Sequence, residues 1–235
     1  MGKTLAIIGA GRVGHTLGRA LRRRGWRIGA VVTRRPSTAR AAVQFIGVGK
    51  AISNLKFEIS DVDVCLVTTA DSQVSSTARV LARVAKSWRG KVVLHTSGAL
   101  SSRELAPLRR RGAAVGSCHP IYPFPRPLRT FPRGVVFDIE GHRKAVQAAT
   151  AMARALGGHP IRLSPRGKLL CHASGTLAAG HLLALVDLAT TGLVRAGVPR
   201  RLAWQALQPL VRETLAGYTR WGARCAGAAG ASAQW

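Results

Sequence analysis

The sequence predicts an α/β fold in which a doubly wound, mostly parallel sheet is followed by a smaller, all-helical domain. Three observations carry this prediction. An apolar run at residues 5–8 leads through a glycine-rich turn into an amphipathic helix, strand and helix patterns then alternate to about residue 163, and from there helical patterns dominate. Such alternation is typical of a parallel sheet with helices on both faces. We therefore expect two domains, residues 1–163 and residues 164–235.

The elements of the first domain follow from short apolar runs and amphipathic segments. Residues 5–8 and 27–32 are the first two predicted strands, and apolar side chains at helical spacing from residue 13 onward predict the helix between them. Further strands are predicted at residues 61–69, 91–95, 113–118, 134–139 and 160–163, with helices at residues 74–86, 101–111 and 142–156. A proline-rich loop, residues 120–132, interrupts this alternation.

The second domain is predicted to be helical throughout. Its longest apolar stretch, residues 169–194, contains two histidines and an aspartate, a pattern that favours a buried core helix over a membrane span. A further helix is predicted to begin at Pro199, after a break at Gly197. The Ala/Gly/Ser-rich residues 223–235 are expected to fray.

Three glycines occupy the turn between the first strand and the first helix. Gly9 permits a tight turn, Gly11 lets the backbone approach a pyrophosphate, and Gly14 lets the helix pack close to the strand. The start of the helix adds free amide donors and a positive dipole. In this context the spacing predicts a Rossmann-type dinucleotide site, the alternative being a similar fold with an empty site. The predicted cradle is Gly9, Ala10, Gly11, Arg12, Val13 and Gly14.

The end of the second strand indicates which dinucleotide is bound. An NAD site requires a carboxylate there for the ribose 2′-hydroxyl, and this chain has Thr33, Arg34 and Arg35 instead. Guanidinium groups suit a 2′-phosphate, which they can bind with two parallel hydrogen bonds. NADP(H) is therefore favoured over NAD(H), and the alternative is that both arginines are ordinary loop residues.

Basic residues far outnumber acidic ones. The chain has 36 Lys and Arg against 9 Asp and Glu, a formal net charge of +27, and such an excess attracts polyanions. The arginines are spread through ordinary amphipathic segments, and no nucleic-acid-binding motif accompanies them. We expect a solvated basic surface that also attracts an anionic cofactor. Nucleic acid is not expected as a partner, and a basic nucleic-acid-binding module is the third functional alternative.

Length and cysteine spacing indicate the class of protein. A chain of 235 residues, 47% of them hydrophobic, can bury a substantial core. The four cysteines are widely spaced with no C-x-x-C pair, which favours reduced thiols in a cytoplasmic protein. The N-terminal apolar run is too short for a signal peptide. Neither export nor membrane attachment is therefore expected.

Candidate site residues lie where the strands end, because ligands of a doubly wound sheet bind beyond the carboxyl ends of its strands. Thr69 and Ala70 follow one strand, Ser97 follows the next, and His119 ends a third. Thr69 and Ser97 are predicted to contact the nicotinamide half of the cofactor. Ser97 and His119 are also candidates for catalysis.

Lys168 and His172 are the other catalytic candidates. They are four residues apart on the first helix of the second domain and so share one face. Hydride delivery to a C=O or C=N bond builds negative charge on the heteroatom, which a lysine can stabilise and a histidine can protonate. For each candidate, a structural role is the alternative. No metal site is predicted, since Cys118, His119, Cys171 and His172 match no ligand spacing.

Five short segments together resemble a known family. They are residues 9–14, 95–99, 116–121, 137–141 and 168–172. The combination is similar to the Rossmann-like proteins with a C-terminal domain of unknown function 2520, related in architecture to ketopantoate reductase, pyrroline-5-carboxylate reductase and 6-phosphogluconate dehydrogenase. The resemblance implies NADP binding, an all-helical second domain, a homodimer through its helices, and an oxidoreductase with no assigned substrate.

The sequence departs from this family at three points. Cys171 stands where a tyrosine is usual and Gly180 where an asparagine is common, and the chain ends early, so late helices are expected to be missing. The sequence thus predicts an NADP(H)-dependent reductase of a small carbonyl or imine substrate, with its site in the crevice between the domains. Because the helical domain is altered and shortened, a non-catalytic NADP-binding or sensor protein is the second alternative.

Overall fold

The computed structural model describes residues 3–53 and 62–221. The chain divides into two compact units, Met1–Ser174 and Gly175–Trp235. The first unit contains the whole sheet, and the described part of the second unit is helical. The predicted α/β class is therefore confirmed, whereas the predicted domain boundary after residue 163 stays a prediction.

One sheet of eight strands organises the first unit. The strands are β1 Thr4–Ile8, β2 Arg27–Val32, β3 Lys50–Ile52, β4 Val64–Val67, β5 Val92–His95, β6 Ala114–Pro120, β7 Val136–Gly141 and β8 His159–Arg162. Their order is β3-β2-β1-β4-β5-β6-β7-β8, and of the seven neighbouring pairs β6 and β7 alone are antiparallel. The strand order reverses between β1 and β4, which is where dinucleotides bind in doubly wound sheets.

Helices connect these strands and form the second unit. They are α1 Arg12–Arg23, α2 Pro36–Ile46, α3 Asp71–Val84, a 3-10 helix Ser102–Leu105, α4 Ala106–Arg109, α5 Arg143–Ala155, α6 Pro165–Thr176, a π-helical turn Leu177–His181, α7 Leu182–Arg195 and α8 Arg200–Trp221. The single helix predicted at residues 101–111 is thus a 3-10 helix followed by a short α-helix. Pro107 explains the change, because it has no amide proton and is tolerated only in the first turn of α4.

Apolar side chains pack on both faces of the sheet. On one face, α1, α2 and α5 cover the strands, with Leu17, Ile46 and Met152 in that core. On the other face, α3, the 3-10 helix and α4 pack around Leu81 and Leu108. The two cores together bury both sides of the strands, as a doubly wound sheet requires.

The apolar stretch at residues 169–194 is not the buried core helix that the sequence predicts. Leu170 on α6 is 69% exposed, and Leu183 and Leu188 on α7 are 69% and 67% exposed, although α7 packs against α8. By length and composition, Pro165–Arg195 is the one helical stretch of the described chain that is apolar enough to cross a membrane. The predicted fraying of residues 223–235 lies outside the described residues.

Candidate functional site

The turn between β1 and α1 has the geometry that its three glycines predict. Gly9 has a φ of +88°, and a Cβ there would lie 2.9 Å from the Thr69 backbone nitrogen. A Cβ on Gly14 would lie 2.5 Å from Thr68 Oγ1, so only glycine lets α1 approach the sheet so closely. A Cβ on Gly11 would meet nothing within 4 Å, which leaves space beside the backbone for a ligand.

A cavity of about 800 Å³ opens beside this turn. Eight of the predicted cofactor residues line it: Gly9, Ala10, Gly11, Thr33, Arg34, Arg35, Thr69 and Ala70. Arg12, Val13 and Gly14 instead form the first turn of α1, and Ser97 follows β5. The cavity therefore joins the ends of β1, β2 and β4, the position expected for a dinucleotide.

Helix α3 supplies lining residues that the sequence reading missed. Gln73, Ser76, Thr77 and Val80 face the cavity. Their three- and four-residue spacing places them on one side of a helix, and this periodicity was the available signal. Thr38 and Ser53 complete the polar lining near the end of β2.

The polar groups of the cavity fit an anionic dinucleotide. Thr69 Oγ1 is buried and has no hydrogen-bond partner among the described residues, so a ligand would satisfy it. Arg34 and Arg35 are exposed and form none of the ion pairs found in the described chain. The first turn of α1 carries no acidic residue. The cavity thus offers amide donors, a hydroxyl and two guanidinium groups, which suit phosphates and hydroxyls.

A second polar cluster is centred on Asp138. His119 Nδ1 donates a hydrogen bond to Asp138 Oδ2 at 2.6 Å, and Lys168 Nζ donates to Oδ1 at 2.5 Å. The side chains of Asp138 and Lys168 are fully buried, whereas that of His119 is 22% exposed. Because an ionised carboxylate only accepts hydrogen bonds, His119 carries a proton on Nδ1 and keeps Nε2 for another partner.

The sheet register and α6 together build this cluster. His119 on β6 and Asp138 on β7 are register partners of the antiparallel pair, so their side chains lie on the same face. Lys168 reaches them from α6. The whole Asp138 cluster lies within the first compact unit. Lys168, predicted as a substrate contact, is instead engaged with a buried carboxylate.

His172 and the loop after β5 lie against His119. The two imidazole rings are 6.2 Å apart between centroids and inclined at 71°. A Cβ on Gly98 would lie 2.5 Å from His172 Nδ1 and 2.9 Å from His119 Nε2. Gly98 therefore lets both rings approach the loop. Ser97, the residue before Gly98, is buried, and its Oγ accepts a hydrogen bond from the Leu100 amide at 3.1 Å. The structure thus brings His119, Lys168 and His172 together, with Ser97 in the adjoining loop.

Asp138 is the residue of this cluster that the sequence reading did not assign. It lies in an apolar strand of a chain with only nine acidic residues, and a charged residue at such a position is rarely buried without a partner. That rarity was the available signal. Glu140, two residues later, accepts hydrogen bonds from the Ser102 amide and hydroxyl at 2.7 Å each, which indicates a structural role.

Cys118 lies on the opposite face of the sheet from His119. Cys118 precedes His119 on β6 and therefore points to the opposite face, where burial raises its pKa to about 12. Cys65, Cys118 and Cys171 are free thiols, and Cys225 lies outside the described residues. The side chains considered for a metal site thus do not all converge.

Family models match both parts of the chain. Residues 3–120 match the model of the Rossmann-like domain, and residues 135–228 match that of the Domain of unknown function (DUF2520). No curated protein matches the chain significantly.

Solved structures with the same fold include several oxidoreductases. A protein from Bacteroides fragilis, provisionally described as an NADP oxidoreductase, is 19% identical with a TM-score of 0.76, covering 93% of this chain and 81% of its own. A reductive aminase from Aspergillus terreus, in complex with NADPH and ethyl-5-oxohexanoate, is 20% identical with a TM-score of 0.69, covering 95% and 77%. An imine reductase from a Pseudomonas species is 16% identical with a TM-score of 0.70, covering 97% and 79%.

At these identities the likeness shows the fold alone. The family models agree with the short segments that carry the resemblance in the sequence, from the glycine turn to Lys168 and His172. The chain therefore belongs to the Rossmann-like proteins that carry a C-terminal domain of unknown function, DUF2520.

Proposed function

We propose that this protein is an NADP(H)-dependent oxidoreductase that reduces a small carbonyl or imine compound. The observation that carries the proposal is the pairing of His119 with Asp138 beside Gly98, in the same unit as the glycine turn. The NADPH held by the structurally similar reductive aminase supports the choice of cofactor.

We infer where each part of NADP(H) would lie from the residues that line the 800 Å³ cavity and from the ends of the neighbouring strands. The backbone around Gly9, Ala10 and Gly11 would hold the pyrophosphate, with the start of α1 at Arg12–Arg23 behind it. Thr33, Arg34 and Arg35 would hold the 2′-phosphate, and Thr69 and Ser97 the nicotinamide half. When bound, NADPH supplies the hydride of the reaction.

His119 is the proton carrier in this proposal. A reduction adds a hydride to the substrate carbon and a proton to its oxygen or nitrogen. The imidazolium form of His119 gives that proton from Nε2, while Nδ1 keeps its own proton on Asp138. A positioned acid of this kind contributes about 10²- to 10⁴-fold in rate. The reverse reaction uses the neutral ring as a base.

Lys168 and His172 have supporting roles. The fully buried ammonium of Lys168 bonds to Asp138, so it fixes the orientation of this carboxylate toward His119. Lys168 is therefore a positioning residue. His172, whose ring lies beside that of His119, would contact the substrate in this proposal.

The first test is calorimetric titration with NADPH and NADH at two salt concentrations. We expect saturable binding that prefers NADPH, and Arg34→Ala should narrow that preference because it removes one guanidinium from the 2′-phosphate. An unchanged preference would remove Arg34 from the site. If neither nucleotide binds, the glycine turn is only a scaffold and the proposal fails.

The second test separates the enzyme from a non-catalytic sensor. Turnover is measured over a panel of carbonyl and imine compounds, together with His119→Gln and the control His159→Gln, whose side chain is exposed. We expect His119→Gln to lose at least a hundredfold in turnover while NADPH affinity stays the same, the range of a missing general acid. NADPH binding without turnover on any compound would favour the sensor.

We also propose that the protein is a homodimer. Leucines on α7 are exposed in the single chain, among them Leu183, Leu185 and Leu188, and an apolar surface of this extent is a liability in water. A second copy presents the same surface, so a two-fold contact buries both at once. Helix α8 adds exposed Leu202 and Trp204.

A further inference from the structure

Arginines from distant parts of the chain converge on the outer side of α1. Arg19 Nε and Arg23 Nη1 both donate hydrogen bonds to the carbonyl of Arg129, at 3.4 and 3.2 Å. Arg22 lies between them on the same helix. We call Arg19, Arg22, Arg23 and Arg129 the arginine face. In the sequence these arginines are dispersed, and the contact joins positions more than 100 residues apart.

The guanidinium groups of this face are close enough to repel one another. Those of Arg19 and Arg129 lie over the ring of Phe45, at 5.5 and 5.9 Å from its centroid. Loss of solvent, followed by the charges of Arg23, Arg129 and Arg22, lowers the pKa of Arg19. A bound anion would reduce the repulsion between like charges held together in this way.

The arginine face has no carboxylate partner among the described residues. None of the four ion pairs in the described part of the chain includes one of its residues. The sequence has no Asp or Glu in residues 1–57 or 105–137, so α1, α2 and the proline-rich loop contribute none. Arg22, Arg23 and Arg129 are exposed, and none of them is paired with a carboxylate of residues 3–53 or 62–221.

Two of the four arginines also have a structural role. Arg19 and Arg22 donate to the carbonyls of Phe45 and Ile46 at the end of α2, at 2.6 and 3.0 Å, which stabilises the negative end of that helix. Arg23 and Arg129 make no such bond to α2 in the described structure. Arg129 contacts α2 through its guanidinium over the Phe45 ring, and neither Arg23 nor Arg129 caps the end of that helix in the described structure.

We infer that the arginine face binds the phosphate backbone of a nucleic acid. Guanidinium groups match phosphate geometry with two parallel hydrogen bonds, and a duplex presents one charge for about every 1.7 Å of its axis. The net charge of +27 adds long-range attraction to such a polyanion. The face lies on the α1 side of the sheet and the Asp138 cluster on the other side, so this inference is independent of the proposed reductase function.

The test uses fluorescence anisotropy with a labelled 20-base-pair DNA duplex, titrated with the full chain between 50 and 200 mM KCl. The variant Arg23→Gln/Arg129→Gln removes two charges from the face. Its matched control, Arg109→Gln/Arg110→Gln, removes two exposed charges at the end of α4, on the opposite side of the sheet. NADPH titration and thermal unfolding establish that both variants fold.

Each phosphate contact adds about 0.9 to the slope of the logarithm of the binding constant against the logarithm of the salt concentration. Loss of two contacts therefore lowers this slope by about 1.8 and the affinity at 0.15 M salt by about 30-fold. We expect these changes in the face variant, and an affinity within about twofold of wild type in the control. Equal losses in both variants would mean that diffuse charge binds the duplex, which overturns the inference. Absence of saturable binding at 0.15 M salt overturns it as well, as does tighter binding to polyglutamate than to the duplex.

A second measurement needs no variant. Photo-crosslinking of the wild-type protein to a duplex that carries 4-thiothymidine, followed by peptide mapping, should place crosslinks in α1 and the loop at residues 120–132. Crosslinks found only in other segments would contradict the arginine face, even if the substituted chains failed to fold.

Discussion

His119 and Asp138 face each other across the antiparallel pair β6 and β7, and His119 Nδ1 donates to Asp138 Oδ2 at 2.6 Å. The carboxylate is buried, and its other oxygen is taken by Lys168. Burying a carboxylate and an ammonium costs several kcal/mol for each ion, which their attraction does not always offset. An arrangement of this cost is common where a proton carrier must be held in one orientation.

Lys168→Met should leave the Asp138 carboxylate without its ammonium partner. We expect the free energy of unfolding to fall by roughly 3–5 kcal/mol, as for other buried pairs broken on one side. Turnover should fall far more than NADPH affinity. Urea unfolding and calorimetry measure the two effects. Equal losses of turnover and cofactor affinity would argue against a positioning role for Lys168.

The double variant Lys168→Met/Asp138→Leu is the control for that experiment. It removes both charges, so most of the lost stability should return. Turnover should stay low, because His119 has lost its acceptor. Recovery of turnover together with stability would show that the pair serves the fold alone.

Gly98→Ala should separate the two imidazole rings. The added methyl group would lie 2.5 Å from His172 Nδ1 and 2.7 Å from His119 Cε1, so at least one ring must move. We expect turnover to fall at least tenfold, with altered histidine signals in nitrogen-correlated NMR spectra and unchanged NADPH affinity. Gly175→Ala is the matched control, since a Cβ there meets nothing within 4 Å. Unshifted histidine signals in Gly98→Ala would contradict the contact.

His95 should make the stability of the fold depend on pH. Burial lowers its pKa from 6.5 to about 4, so between these values the unfolded chain binds a proton that the folded chain does not. The free energy of unfolding therefore rises with pH across this window. The contribution of His95 is fully present above about pH 6.5 and is lost as the pH falls toward 4. The contribution is on the order of 3 kcal/mol.

Urea unfolding at pH 7.5 and pH 5 measures this effect. His95→Gln should flatten the difference between the two pH values, whereas the exposed His159→Gln should leave it unchanged. An equal pH dependence in wild type and His95→Gln would assign the effect to other groups.

The exposed leucines of α7 should be covered by a second chain in solution. Light scattering at micromolar concentration should give twice the 24.9 kDa of one chain. Leu183→Gln/Leu188→Gln should shift the mass toward the monomer, and Val48→Gln, which alters an exposed position of the first unit, should not. A clean monomer of the wild type rules out a stable dimer, and a mass that depends on added detergent would point to a membrane.

Local patterns predicted most of the sheet. The second strand, residues 27–32, is observed at the predicted positions. A short apolar run between the end of a helix and a polar loop leaves only one placement for the strand. The glycine turn was equally readable, since Gly9 has a φ of +88° and α1 begins three residues later. Helix α2 and strand β3 were missed; the strand has three residues, of which none is fully buried.

The candidate site could be predicted only in part. Sequence reasoning chose His119, Lys168, His172 and Ser97 from their residue types and their places after strands or on one helix face. It did not find Asp138, because the register that pairs β6 with β7 joins residues across a proline-rich loop. The placement of the four predicted residues in a crevice between two domains stays a prediction.

By itself, the sequence determined the fold class, the dinucleotide-type turn and the family, because hydrophobic period and glycine sterics act over a few neighbouring residues. Tertiary structure alone decided which charges meet. It placed Lys168 on a buried carboxylate, left the leucines of α7 exposed, and brought Arg129 to Arg19 and Arg23. Such contacts depend on strand register and loop closure between distant segments, which no local pattern encodes.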